Sequence, residues 1–522
     1  MLASDRENDK IATITDNVNE QADYNKAIST TGYGVFNVLL VLGTLPIAWT
    51  AIFDTTSGAF ILASAECDLE LTLFRKGVLV AFPYIAMTMT TFIWDYITPY
   101  VSMKILFVLA LLIDSILNIV SSGVQSYYIF ILVKFLSGIL AGGPLAMVMT
   151  YLTEFHSARY KPRFTTWVGF LFAIANIVPA ALGFTILPLN WHIDIFGQDY
   201  NSWRIYLLIC SIPPVVGFVT ATMLPESPKY LMAIGRSDAA LKLFKRMYCM
   251  NTRQPSETFP IKALLVPQKT QLTRPVLEAS LERMRVSLYN TKLLLTTTAY
   301  LPAFSFVSFL QFGSMLGFNT MRLWVPYLFI VLKNFDAANW TPKDRQPTMC
   351  EMLDRHAALP GRQYLNCTNF DDACFEWTIN PRVYQNSTTI ASSAVIFSFL
   401  AGFLTITKLR KQIIIHGLPD IGGKQFRNKL GAVFTVHADA GGNGYRDDKN
   451  SGATSISILA VIGNIAAVVG NLIFSALLGT ECIVAFMGLG CLFFACFCVS
   501  LFFPPPVRES SKKLAEASTS KI

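Results

Sequence analysis

Apolar residues run along this chain in blocks of about twenty, each closed by a shorter polar segment. A membrane-crossing helix needs about 20 mostly apolar residues. Six blocks in the first half read as such spans: 34–53, 77–94, 105–123, 127–150, 165–188 and 203–224. A longer apolar stretch, 291–332, is interrupted by GFNTMRLW. It is expected to be one kinked helix, because two spans there would put the next polar loop on the wrong side of the membrane. Blocks at 388–407, 453–478 and 482–503 bring the expected total to ten, six plus four.

The polar segments orient these spans. Segment 54–74 is acidic, with Asp54, Glu66, Asp68 and Glu70, whereas 154–163 carries Arg159, Lys161 and Arg163. The long segment 225–290 has eleven Lys/Arg against five Asp/Glu. Basic connectors stay in the cytosol, so both termini and 225–290 are expected there. The start of the chain lacks the short apolar core of a secretory signal, which makes the first block the expected anchor. The expected layout is a tail (1–30), a six-helix bundle (31–224), an inter-bundle loop with short helices (225–290), a second bundle (291–503) and a tail (504–522). The second bundle includes an outer loop, 335–387, and a polar cytosolic segment, 412–450.

Loop 335–387 holds all three N-x-S/T sequons of the chain, at Asn339, Asn366 and Asn386. Three glycosylation acceptors in one loop fit a lumenal or extracellular position. Cys350, Cys367 and Cys374 lie in the same loop, and Cys67 lies in the first outer one. These four are disulfide candidates, since that side is oxidising, and their connectivity stays open. Cys210, Cys482, Cys491, Cys496 and Cys498 sit in apolar blocks and are expected to be packing residues. Cys249, in the basic segment, should stay reduced.

Composition agrees with lipid as the bulk solvent. Hydrophobic residues make up 53% of 522 and charged ones 15%, with mean hydropathy +0.45, against about 25% charged in soluble domains. The net charge of +8 does not imply nucleic acid, which would need a basic patch on a folded soluble domain. No phosphate loop, zinc spacing or nucleophile elbow is present, and His156, His192, His356, His416 and His437 lie apart. Neither an enzyme, a cofactor nor a metal site is expected. His437 and Asp439 alone make a poor metal site.

Four motifs then fall in order within the expected spans. SAECDL (64–69) lies in the first outer loop and KFLSGILAGGPLAMVMTYLTEF (134–155) fills span four. PESPKYL (225–231) comes directly after span six and GFNTMRLWVPYLF (317–329) lies in span seven. Together they resemble the sugar and organic-ion transporter branch of the major facilitator superfamily, in particular the group similar to synaptic vesicle glycoproteins, which also carry a glycosylated loop after span seven. The resemblance implies an all-α, polytopic, two-bundle membrane protein. It also implies a monomer in the lipid bilayer that moves a small solute, with a coupling ion in some members, by alternating access.

Each motif also has a local physical reading. Pro225 ends span six, Ser227 and Pro228 cap and open a new helix, and Gly235 closes it. The resemblance makes these short helices a brace between the bundles and Glu226 part of its motif. It places gate residues at Glu154 and Lys161, with Lys161-Pro162 where the family has Arg-Gly. It also puts Asp95 in the first loop signature and Arg410 and Lys411 in the second. Each loop copy keeps half of an electrostatic lock: Thr98, Pro99 and Tyr100 replace the first copy's glycine and basics, and Ile406 replaces the second copy's acid.

Polar groups inside spans are functional by default. Asp114 reads as the only acid well inside a span, with Asn118 and Ser121 on its face; it either binds a cation or proton or bonds a neighbouring helix. Asn37 and Thr44, Ser305, Ser308 and Gln311, and Ser457, Asn464 and Asn471 form polar stripes. The resemblance adds Asn176, Asn319 and Trp324 as cavity candidates. Such stripes serve either a solute path or helix association. No charged residue within the spans is expected to dictate the charge of the solute.

Between Lys411 and Ser451 the longest apolar runs are QIII and LGAVFTV, too short to cross a membrane. Spans nine and ten of the family are therefore expected to be missing. Two readings stay open: a transporter of small organic solutes, impaired by that loss, and a non-transporting vesicle or plasma-membrane glycoprotein that keeps the shell for trafficking or binding.

Overall fold

The structure is a computed structural model. It describes residues 21–265 (apart from 67, 99, 190 and 196–197), 301–333, 347–358, 388–389, 392 and 448–501. Among these residues, nine helical spans are long and apolar enough to cross a membrane. The expected span 388–407, the segment 412–450 and both tails lie outside the described residues.

Span one is α2, Val35–Phe60, preceded by the short α1, Tyr24–Thr30. It runs past the apolar block at 34–53 because Asp54, Thr55, Thr56 and Ser57 are buried against neighbouring helices. The Thr55 hydroxyl donates to the Ala51 carbonyl at 2.8 Å, which satisfies it without solvent. Spans two to four are α3 (Leu73–Ile97), α4 (Met103–Gly123) and α5 (Tyr127–Thr153). Span five is broken into α6 (Lys161–Ile174) and α7 (Ile177–Ile186) around Asn176. Span six is broken into α8 (Ser202–Cys210) and α9 (Ile212–Met223). Pro213 and Pro214 open α9, and without N–H groups they interrupt the hydrogen-bond ladder there.

The stretch after span six folds as α10 (Pro228–Ala233) and α11 (Ser237–Thr252). The Ser227 hydroxyl accepts from the Tyr230 amide at 3.3 Å, and Gly235 turns the chain at φ +81°. Span seven is one continuous helix, α12, Leu301–Lys333. The polar loop after it contains α13 (Met349–Ala358), and the last two spans are α14 (Asp448–Thr480) and α15 (Cys482–Leu501). Lipid-facing apolar side chains cover the outside, among them Leu109, Ile116, Leu132 and Phe494.

The ends of the bundle differ. At one end α10 and α11 pack beneath α1, α2 and α5, and strand β1 (Gln21–Ala22) pairs in parallel with β4 (Ala263–Leu264). Asn251 of α11 approaches α2 so closely that a Cβ on Gly34 would sit 2.8 Å from its Cα. At the other end a hairpin, β2 (His192–Ile195) with β3 (Gln198–Asn201), joins α7 to α8. There α13 buries Leu353 and ties its Cys350 to Cys482 by a disulfide, with Cα atoms 5.6 Å apart. Cys482 is thus a bridging rather than a packing cysteine, because it stands at the first position of α15, where α13 brings Cys350 against it.

The two bundles meet where α14 lies along α3 and α12. At that contact a Cβ on Gly77 would collide with the Ser475 side chain and reach 3.1 Å from the Asn471 carbonyl. The last helix is less well covered: 11% of its apolar window is buried, against 50% for each of the first four spans.

Candidate functional site

Three polar clusters stand out inside or between the bundles. The first lies among α2, α4 and α5 in the N-terminal bundle. Asp54, Asp114 and Lys134 are 4%, 1% and 3% exposed. Ser137 donates to Asp114 Oδ1 at 2.7 Å, and Lys134 Nζ donates to Asn118 Oδ1 at 3.1 Å. Asn118 Nδ2 reaches the Asp114 carbonyl at 3.1 Å and Ser137 Oγ at 3.4 Å. Lys134 acts electrostatically on both carboxyls, and Asp54 lies within hydrogen-bonding reach of Asp114. One oxygen of each, Asp54 Oδ2 and Asp114 Oδ2, is buried with no partner. The site thus gathers two acids and one base out of contact with solvent.

Asp114 is therefore not the only acid inside a span. The sequence pattern assigns Asp54 to an acidic connector, and helix α2 carries it inward. Lys134 opens a recognised motif, which hides its charge inside an apolar run as a signal of its own.

The second cluster joins the bundles. Arg322 of α12 donates from Nη1 to Asn176 Oδ1 at 2.7 Å. From Nη2 it donates to the Tyr84 hydroxyl at 2.6 Å and to Asn319 Oδ1 at 3.3 Å. Tyr84 in turn donates to Asn319 Oδ1 at 3.1 Å. Tyr84 comes from span two and Asn176 from the break in span five, so three residues from three spans converge on one guanidinium. Arg322 is a charged residue within span seven, and the structure holds it between the bundles. It sits in GFNTMRLW, which reads as a break in an apolar run, yet the helix continues through it.

The third cluster closes the hairpin end. Lys76, 1% exposed, contacts Glu66 at 2.8 Å and sits 4.0 Å from the centroid of the Tyr327 ring. Lys76 belongs to the N-terminal bundle and Tyr327 to α12, so this contact also crosses between them. Trp324 packs fully buried against Tyr327 and Phe474 beside it.

At the opposite end Glu154 meets the stretch after span six. The Ser227 hydroxyl donates to Glu154 Oε2, and Lys229 Nζ lies 3.6 Å from Oε1. The Tyr24 hydroxyl donates to the Glu154 carbonyl at 2.5 Å. Burial, then the Glu154 carboxylate, pushes the Tyr24 hydroxyl well above its usual range, so it stays a donor. Half-buried Glu226 lies next to this contact. The side chains of Asp95 and Lys161, and residues Arg410 and Lys411, lie outside the described part.

The remaining candidates are spread out. Asn37 joins the α11 end, donating to the Phe155 carbonyl at 3.0 Å and accepting from Asn251 at 3.0 Å, away from the inter-bundle space. Half-buried Gln311 faces Gly463 of α14, and Asn464 is half-buried one residue on. Asn471 is buried and donates to the Ala467 carbonyl at 2.7 Å, leaving its Oδ1 without a partner. Asn339, Asn366, Asn386, Cys67, Cys367 and Cys374 lie outside the described residues. Among the described residues, no group of three His, Cys, Asp or Glu is placed to hold a metal.

Residues 14–329 match the model of the family described as sugar (and other) transporter. Over 254 residues, 47% of this chain, the sequence is 29% identical to synaptic vesicle glycoprotein 2B of Mus musculus, covering 37% of that protein. Over 207 residues it is 28% identical to synaptic vesicle glycoprotein 2A of Rattus norvegicus, covering 39% of this chain and 28% of that one. The chain thus spans under two fifths of the length of the curated relatives it matches. Among solved structures, a double Trp mutant of XylE is similar with TM-score 0.51 at 13% identity, covering 90% of this chain and 95% of that one. At that identity the likeness shows the fold alone.

Proposed function

The chain belongs to the sugar (and other) transporter family, and from that premise we propose that it carries small organic solutes across a membrane by alternating access. The observation that carries this reading is the polar cluster held between the bundles at Arg322, Asn319, Tyr84 and Asn176. Solute sites of such folds lie where the two halves meet near the middle of the bilayer. Lys76 against Tyr327 at one end, and Glu154 against Ser227 and Lys229 at the other, serve as contacts that close and open in turn. The Asp54–Asp114–Lys134 group is the candidate for a coupling proton or cation, since its acids outnumber its base.

In this reading both termini and the α10–α11 brace are cytosolic. The disulfide end, with sequons at Asn339, Asn366 and Asn386, faces the lumen or exterior of a plasma or vesicle membrane, and the protein works as a monomer. A second reading, a non-transporting glycoprotein, is favoured by one observation: 412–450 contains no apolar run that can cross a membrane. Uptake of organic cations, sugars and carboxylates by proteoliposomes separates the two. Flux abolished by Asp114→Asn supports transport. Folded, glycosylated protein with no flux for any class sinks it.

A further inference from the structure

Half-buried Arg322 lies well inside an apolar span. On the span Phe304–Leu332 it stands ten residues from one end and eighteen from the other, roughly 15 and 27 Å along the axis. A guanidinium stays protonated in any protein environment. Yet its three hydrogen-bond acceptors, Asn176, Tyr84 and Asn319, are all neutral, and among the described residues no carboxylate forms an ion pair with it. The Phe318 ring, 5.6 Å from the guanidinium carbon, offers only its weak negative face. Its Nε is buried and has no hydrogen-bond partner. A buried donor without an acceptor and a membrane charge without a counter-charge are both costly, and one anionic oxygen at Nε relieves both.

We infer that Arg322 sets the charge of the solute, making the inter-bundle site a receptor for small organic anions, carboxylates above all. Carboxylates match the planar fork of arginine in charge and geometry. A neutral sugar supplies acceptors without the charge, and an organic cation meets a fixed positive group in a water-poor site. The anion competes with Asn176 and Tyr84, both on the opposite bundle, so its arrival weakens a contact that holds the bundles together. That ties occupancy to the motion that alternating access requires. The inference rests on the transport reading for its path, but not for its charge preference.

The test uses the full chain, purified and placed in nanodiscs, with lactate, succinate, xylose and choline as probes at constant ionic strength. Lactate or succinate raises the melting temperature of the wild type, while xylose and choline do not. In Arg322→Gln that affinity falls roughly ten- to hundredfold, the loss expected for a charge-assisted contact. Equal carboxylate shifts in wild type and Arg322→Gln overturn the inference, as does preferential stabilisation by xylose or choline, or no shift from any probe. Should Arg322→Gln fail to fold, Arg322→Lys takes its place: weaker carboxylate binding supports the inference and unchanged binding overturns it. Proteoliposome uptake then separates the two readings. A carboxylate shift lost in the variant but with no flux refutes transport and leaves the anion site standing. Flux of xylose or choline, indifferent to Arg322→Gln, does the reverse.

Discussion

Replacing Lys134 by methionine removes a charge while keeping most of the side chain's apolar stem. Lys134 is 3% exposed, and it is the cation that acts on both Asp54 and Asp114. Its loss leaves two buried carboxyls without a counter-charge. Breaking a buried ionic group by removing one partner costs about 3–5 kcal/mol. With a shift of about 2–4 °C per kcal/mol for a body of some 200 residues, the melting temperature should fall by roughly 6–20 °C. Asp114→Asn in the same background removes one of the stranded acids, so the double variant should recover part of that loss. A double-mutant cycle in detergent, read by intrinsic tryptophan fluorescence at neutral pH, should give a coupling energy of about 1–3 kcal/mol. A Lys134→Met protein as stable as wild type, or strictly additive changes in the cycle, would refute the claim that Lys134 stabilises the acid pair.

Other perturbations probe the remaining contacts. Gly77→Ala places a methyl group against Ser475 and the Asn471 carbonyl, which should cost about 1–3 kcal/mol; Ser475→Gly should restore part of it in the same thermal assay. Ser227→Ala removes both the cap of α10 and the donor to Glu154, for a loss of about 1 kcal/mol and faster proteolysis near α10. In denatured, unreduced Cys350→Ser protein, Cys482 becomes reactive to maleimide; in wild type it stays unlabelled until reductant is added. Lys76→Gln removes the contact with Glu66 and the Tyr327 ring. It should therefore raise the labelling rate of a cysteine placed at position 323 by a water-soluble thiol reagent, and an unchanged rate counts against a gate there.

Much of the architecture is legible along the chain because membrane spans are a matter of length and polarity. Blocks of about twenty apolar residues announce helices whatever they pack against, since backbone groups in lipid must bond within their own segment. The brace is equally plain: Pro225, Ser227, Pro228 and Gly235 act through local backbone chemistry, and α10 and α11 form where those residues place them. The motifs carry the family for the same reason.

Which charges the helices bring together is not written along the chain. Asp54 reads as a connector residue and Lys134 as part of a motif, while Arg322 reads as a break between apolar runs. Only the packing of α2 against α4 and α5 puts Asp54 beside Asp114 and Lys134. Only the meeting of α12 with α3 and α7 sets Arg322 on Tyr84 and Asn176, 238 and 146 positions away. No local pattern encodes such a relation. The same holds for Cys482, which belongs to an apolar block by sequence and to Cys350 by position. The order of residues alone establishes a membrane-embedded bundle of the transporter type. The packing of its helices settles where the buried charges meet, because the cost of a charge in lipid depends on its neighbours in space.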